Sequence, residues 1–361
     1  MEHLYQLVKL YGEAFGPSGY EKFVIQLFHE RHKKYPFDFS RDHLGSLILK
    51  SKDYDLSKKT ILFTAHSDEI GFIISEITKN GLIKFGPLGG WWSHVLPGKQ
   101  VKIYARNVDK FFIGIIGSKP IHLLSIEERQ KLQPLKSMFI DIGCKTKEQV
   151  LSLGISIGDP ITKHYQSFLM ENNLVCTKSI DNRVGVAILE EVIKNTHNLT
   201  SDFNFVYSLS VQEEVGLRGA KTMTNAIKPD IAIVIDTTAT DDTSVLNSNN
   251  DTQLDKGVTI SIMDSYFIAN PRLVHYFINL AKKHNIPYNI DPSVSGGTDA
   301  GSIHLKNQGI FTISLHIPSR YLHTHNEVCS LHDVKSMIDL ITKFAQEFKN
   351  ADFEDLKNIW V

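Results

Sequence analysis

The chain has 361 residues, an apolar fraction of 42%, a charged fraction of 22% and a formal net charge of −1. That length exceeds what one compact core ordinarily organises and points to two domains, or to one domain with a large insertion. The near-zero charge, without any basic block, excludes a general nucleic-acid or acidic-membrane partner.

Cys144, Cys176 and Cys329 are far apart and odd in number, so they form neither a CxxC pair nor a disulfide framework. A reducing cytoplasm is the expected location. The first segment, MEHLYQLVKLYGEAFG, carries acids and helical spacing (Leu4, Leu7, Val8, Tyr11) rather than the pattern of a signal peptide. No apolar run approaches the ~18 residues of a membrane span, so a soluble protein is expected.

In chain order, the first helix is followed by the turn Gly16–Glu21 and a second amphipathic helix over 22–34. A turn leads into a strand at 41–50, and the strand TILFT ends at Ala65-His66-Ser67-Asp68-Glu69. From Gly71 to about Thr162 short β-rich runs alternate with glycine turns, and only 125–132 reads as helical, which suits a small β-barrel or sandwich. After Lys163 the α/β texture returns. Asp181 opens a helix with Val184, Ala187, Ile188 and Val192 on one face.

The apolar run Phe203 to Val211 is a buried strand that stops at two adjacent acids, Glu213 and Glu214. A short helix near 221–226, the strand IAIVID ending at Asp236, a polar loop over 237–255 and the strand VTISIM follow. Next come a helix over 271–284 with proline in its first turn, the glycine turn SGGTDAGSIH, the strand IFTISL and the loop RYLHTHNE. A long helix over 331–348 closes the fold. The expected architecture is α/β, a mixed sheet flanked by helices. Residues 1–69 and 163–361 form the main domain, and residues 70–162 form an inserted β-rich module.

Unpaired carboxylates at the edge of a core are costly, so a buried strand ending in Glu-Glu requires an explanation. Neighbouring side chains there point in different directions, which lets one acid hold a metal while the other holds a proton. His66, Glu213, Glu214, Asp236 and His323 all lie at or just beyond strand ends, and Asp181 lies at a helix start. In open α/β sheets ligands bind beyond the carboxyl ends of the strands. Two imidazoles and four carboxylates without a thiol suit Zn²⁺, Co²⁺ or Mn²⁺ rather than iron–sulfur or copper(I). One bridging carboxylate, with a His and an acid closing each side, makes room for two cations ~3.5–4 Å apart. Such a pair brings the pKa of a bound water from ~16 toward ~7 and leaves the last carboxylate free as general base.

Six ordered motifs carry a resemblance over nearly the whole chain. They are Ala65-His66-Ser67-Asp68-Glu69-Ile70-Gly71, Asp181-Asn182-Arg183-Val184-Gly185, Val211-Gln212-Glu213-Glu214-Val215-Gly216, Asp236, Gly296-Gly297-Thr298-Asp299-Ala300 and Arg320-Tyr321-Leu322-His323. The set resembles the M42 metallo-aminopeptidases, the glutamyl-aminopeptidase and TET-type members of the co-catalytic zinc peptidases. The resemblance implies that His66 and Asp236 hold one metal, Glu214 and His323 the other, with Asp181 bridging. It implies Glu213 as the base that activates a metal-bridging water, and Asp68 as the partner orienting His66. It also implies a non-proline cis bond at Asp181–Asn182, two divalent ions per chain with zinc first and cobalt or manganese next, and short peptides as substrates. The β-rich module would mediate dimerisation, and the dimers would assemble into a dodecamer.

The chain departs from the family pattern at Ser67, usually Met, at His325, usually Pro, and at Leu254-Asp255-Lys256-Gly257-Val258, usually LGKGP. Blander roles are expected elsewhere. His29, His32 and His284 read as surface or packing residues, His325 as an exposed loop imidazole, and Asp241 and Asp242 as a solvated loop. Trp91 and Trp92 read as interface or core residues. Asp299 is either a helix N-cap or a group shaping the pocket. Competing functions are a deacylase or carboxypeptidase on the same two-metal scaffold, or an inactive metal-stabilised assembly protein. A glycosidase is disfavoured, because its two carboxyls must sit at least ~5 Å apart across a cleft.

Overall fold

The structure is a computed structural model describing residues 1–240, 242–243, 252–292 and 295–358. Among these residues, two β systems organise the chain. Strands β1 (Phe37–Arg41), β2 (Leu47–Ser51) and β3 (Thr60–His66) begin a large mixed sheet. Strands β4 (Gly71–Ile77), β5 (Ile83–Leu88), β6 (Gln100–Ala105), β7 (Lys110–Gly117), β8 (Phe139–Asp141) and β9 (Pro160–Lys163) close into a six-stranded barrel. The chain then returns to the large sheet with β10 (Phe168–Leu169), β11 (Leu174–Thr177), β12 (Asn204–Ser210), β13 (Ile231–Ala239), β14 (Val258–Ser261), β15 (Tyr288–Asp291), β16 (Phe311–Arg320) and β17 (Glu327–Ser330).

The large sheet has the order β1-β2-β12-β3-β13-β16-β17-β11-β10, with β14 on β16 and β15 on β14. Its centre, β12-β3-β13-β16, is parallel throughout. Parallel strands are covered on both faces, so they need apolar side chains in both directions. The sequence supplies them. Ile231, Ile233 and Ile235 face one core with the helices Ile180–Thr196 and Leu331–Glu347, whereas Ala232 and Val234 face another with the helix Arg218–Ile227. The period of two along β13 thus divides one continuous apolar run between two helical layers.

The barrel has its own core, including Phe72, Ile74, Ile83, Val101, Ile103, Ile116 and Ile161. It leaves the large sheet directly after β3 and returns before β10, so its base lies beside the carboxyl end of β3. Besides the expected helix, here Ile126–Arg129, it carries a second one, Lys147–Ser152, whose N-cap is the Thr146 hydroxyl. That helix was missed because a run of six residues is too short to display a 3.6-residue period. Trp91 stacks on Phe72 and donates its indole N–H to the Gly71 carbonyl at 2.9 Å, while Trp92 is exposed. No described helix is long and apolar enough to cross a membrane.

Candidate metal centre

Five segments meet beyond the carboxyl ends of the parallel strands. His66 is the last residue of β3, and Glu213 and Glu214 follow β12 in the next position of the sheet. Ser67, the departure from the family Met, donates both its amide and its hydroxyl to the Ser210 carbonyl, at 2.9 and 2.7 Å, and so ties the two strand ends together. Asp68 does more than face His66, whose Nδ1 lies 3.5 Å from its Oδ1. Its carboxylate also accepts the backbone amides of Glu213 at 3.0 Å and Glu214 at 3.2 Å, and the Ser18 hydroxyl at 2.7 Å. One buried aspartate therefore sets an imidazole and the backbone of both acids.

Asp181 and Asn182 lie at the start of the helix Ile180–Thr196 with non-helical φ/ψ, and the peptide between them is cis, in agreement with the resemblance. The Asn182 side chain donates to the Ile235 carbonyl at 2.7 Å and accepts the Gly185 amide at 3.1 Å. A Cβ on Gly185 would stand 2.2 Å from Asn182 Oδ1, so only glycine fits this turn. The Asp181 amide donates to Glu327 Oε2 at 2.9 Å, and Lys163 Nζ meets Glu327 Oε1 at 3.1 Å. Asp236 lies within β13. His323 lies past β16 with φ 58, and Gly90 packs so close that a Cβ there would come 3.3 Å from its Nδ1.

These groups converge. His66 Nε2 is 3.1 Å from Asp181 Oδ1, 3.6 Å from Asp236 Oδ1 and 3.9 Å from Glu213 Oε2. His323 Nε2 is 3.4 Å from Asp181 Oδ2 and 3.3 Å from Glu214 Oε2. His66, Asp181 and Asp236 form one group whose donor atoms all lie within 4.8 Å of one another, and Asp181, Glu214 and His323 form another. The two oxygens of Asp181 face opposite imidazoles, the disposition a bridging carboxylate needs.

Electrostatics makes the same point. Burial disfavours a charged imidazole at His66, yet Glu213, Asp181, Asp236 and Asp68 outweigh it and raise its pKa well above the ordinary value. His323 is pushed up to about 11: burial opposes the shift, but hydrogen bonds to Asp181 and Glu214 override it. Asp181 is held well below the usual carboxylate range, because His323 and His66 outweigh its burial. Glu213 is raised by burial and by Asp236, Asp299 and Glu214, against the pull of His66. The acids thus demand positive charge, and protons on the imidazoles supply it when nothing else does. Divalent cations would meet the same demand and displace those protons. Glu214 Oε1 is buried without a hydrogen-bond partner, as an oxygen directed at an ion would be. The donor set fits divalent cations.

Several side chains differ from expectation. His325 is buried, not exposed: it packs against Trp91 at 5.9 Å between ring centroids, and neither ring nitrogen has a hydrogen-bond partner. Asp299 precedes the helix Ala300–Ile303 but makes no capping bond; it accepts the Ser210 hydroxyl instead, beside Glu213. Asp242 is not merely solvated. It makes a two-point ion pair with Arg320 and accepts the Leu254 amide at 3.2 Å, while Asp241 lies outside the described residues. His32 stacks on Phe28 and His284 pairs with Glu347, both structural roles as expected. Of the two alternatives for Asp299 the structure favours the pocket-side role, whereas sequence reasoning overlooked Glu327 as a support of the site. The available signal was that Glu327 closes the RYLHTHNE run already singled out.

A buried acid-and-imidazole cluster on the carboxyl edge of a helix-flanked parallel sheet defines a metallohydrolase of the α/β class. The family profile described as M42 glutamyl aminopeptidase matches residues 45–340. A putative aminopeptidase of Acetivibrio thermocellus is 33% identical over 342 residues, covering 95% of this chain and 98% of the relative. The crystal structure of the TET aminopeptidase from the marine sediment archaeon Thaumarchaeota archaeon SCGC AB-539-E09 superposes with a TM-score of 0.93 at 34% identity, covering 98% and 99% of the two chains. The Pyrococcus horikoshii TET1 peptidase, which can assemble into a tetrahedron or a large octahedral shell, gives a TM-score of 0.86 at 31% identity, covering 96% and 100%. This chain belongs to the M42 peptidase family and is an aminopeptidase.

Proposed function

We propose that this aminopeptidase removes N-terminal residues from short peptides at a dinuclear centre held by His66 and Asp236 on one side, Glu214 and His323 on the other, and Asp181 between them. The observation that carries this reading is the pair of three-residue donor groups sharing Asp181. Two divalent cations held there, zinc first and cobalt or manganese next, would supply Lewis acidity that polarises the carbonyl and lowers the pKa of water. The remaining steps belong to the chain. Glu213 is in neither donor group and stands 3.9 Å from His66 Nε2, so its carboxylate is free to take a proton from the attacking water and pass it to the leaving amine. Asp68 holds His66 and the Glu213 and Glu214 amides in place, and Glu327 holds the Asp181 amide.

Residues 1–69 with 163–361 act as the catalytic domain, and the barrel module over 70–162 as the dimerisation domain. Exposed Phe111, Ile113 and Ile115 on β7 give that module an apolar outer face suited to a second copy. A dodecamer assembled from such dimers is proposed. The free thiols Cys144, Cys176 and Cys329 are in keeping with a cytoplasmic protein.

The test compares metal-free and metal-loaded protein on amino-acid p-nitroanilides and on the same peptide with a free or an acetylated N-terminus. Turnover is expected only with metal and only with the free amine. Equal cleavage of the acetylated peptide would contradict an aminopeptidase centre here.

A further inference from the structure

The cavity in front of the metal centre, about 920 Å³, has a second polar wall that catalysis does not use. Asp264, just after β14, and Asp291, the last residue of β15, both line it, and both are 7% exposed. Asp264 accepts the Tyr266 amide at 2.7 Å and the Thr298 hydroxyl at 3.3 Å, both neutral donors that leave its charge unmatched. Asp291 accepts the Thr238 hydroxyl at 3.1 Å.

Between this wall and the metal ligands stands His316 on β16, the direct neighbour of Asp236 across the parallel ladder. Its Nε2 lies 2.8 Å from the Ser314 hydroxyl, while its Nδ1 has no partner although the residue is only 4% exposed. A buried charge met only by neutral donors is costly, and so is a buried polar atom with no partner. A single cationic group entering the cavity would meet both Asp264 and the free Nδ1 of His316.

We infer that the pocket beside the metal centre receives a basic side chain, the ammonium or guanidinium of the substrate's N-terminal residue, with Asp264 as its charge partner and His316 as acceptor. The inference rests on the aminopeptidase reading and names its substrate class. With Nε2–H donating to Ser314, His316 Nδ1 carries the lone pair that a cationic N–H seeks. His316 is one strand from Asp236, about 4.8 Å across the sheet, which suits a side chain whose backbone is held at the metals. Asp291 adds negative potential from the same side. Among the described residues, the lysines that line the cavity are Lys221, which is exposed, and Lys306, which is half-buried. Water screens both more than it screens Asp264. An acidic side chain would meet Asp264 and Asp291 as like charges, and an aliphatic one would leave Asp264 buried and unmatched.

The test uses the full, metal-loaded protein with the p-nitroanilides of lysine, arginine, leucine and glutamate. The kcat/KM for lysine and arginine is expected to exceed that for leucine at least tenfold, with glutamate lowest. In Asp264→Asn the lysine-to-leucine ratio should fall about tenfold or more, chiefly through KM, as loss of ground-state binding does. Calorimetry of free lysine against norleucine, which lacks the ammonium, reads the pocket without turnover and without a variant. Lysine should bind at least tenfold more tightly. Leucine or glutamate preferred over lysine, an unchanged ratio in a folded Asp264→Asn, or norleucine binding as tightly as lysine would each overturn the inference. Loss of turnover on all four substrates, with lysine still bound in preference to norleucine, would instead overturn the aminopeptidase reading and leave the basic pocket standing.

Discussion

Two buried charge clusters lie side by side at the carboxyl edge of the sheet, built from similar side chains and doing opposite things. In one, Glu69 meets Lys178 at 2.5 Å and Arg183 at 3.3 Å, and accepts the Ser179 hydroxyl at 2.5 Å. Arg183 also donates to the carbonyls of Tyr11, Ala14 and Gly16, and Lys178 to that of Ala14. Glu69 is held down to about 2 there, because Lys178, Arg183 and Lys163 outweigh its burial. In the other, Asp181, Glu213, Glu214 and Asp236 meet imidazoles but, among the described residues, no lysine or arginine, and Glu214 Oε1 and the adjacent Asp299 Oδ1 have no hydrogen-bond partner. The first cluster is neutralised by the chain itself and serves as scaffold. The second leaves a deficit of positive charge for ions to fill. Burial and acid content are common to both, so what separates a site from a scaffold is whether the chain supplies the counter-charge.

Breaking the bridge should have the largest effect. Asp181→Ala removes the one carboxylate common to both donor groups, and metal analysis should show substoichiometric loading with activity at background. Two metals per chain in that variant would rule out the bridge. Next is Glu213→Gln, which spares every proposed ligand and removes the proton acceptor. Steady-state kinetics should show kcat reduced ~10²–10⁴-fold with metal content unchanged, and a variant keeping more than half the parent kcat would end the assignment.

The scaffold cluster should respond in stability rather than chemistry. Glu69→Ala leaves Lys178 and Arg183 buried without their acid, at a cost of about 3–5 kcal/mol. Denaturant unfolding of the metal-free protein should register that loss, which a site that acts only through metal would not show. The smallest effect is expected at His325→Ala. Its imidazole contacts Trp91 and none of the donor groups, so kcat/KM should change less than about tenfold, under ~1.4 kcal/mol.

Much of this arrangement was legible in the sequence, for identifiable reasons. Strands buried on both faces must be apolar runs, so β3, β12 and β13 announce themselves, and the acids and imidazoles that interrupt or follow them mark the sheet edge. The positions of His66, Glu213, Glu214 and Asp236 follow from that pattern, and choosing His323 over His325 needed the resemblance. What stayed hidden depends on contacts between distant segments. The burial of His325 comes from Trp91, over two hundred residues earlier. The ion pair of Asp242 depends on Arg320, and the role of Asp299 on Ser210. Local composition describes such residues as loop polar groups, because nothing in their neighbourhood encodes the partner. The second polar wall of the cavity is hidden for the same reason: Asp264 follows β14, Asp291 ends β15 and His316 lies on β16, three segments that only the sheet brings together.

The most direct test is a metal count per chain for the parent, His323→Ala and His325→Ala, each stripped with chelator and titrated with zinc while activity is followed. The account predicts two ions in the parent with activity restored as they bind, one ion and almost no activity in His323→Ala, and two ions with near-parental activity in His325→Ala. A parent that saturates at a single ion, or a His325→Ala variant that loses the metal His323→Ala keeps, would contradict it.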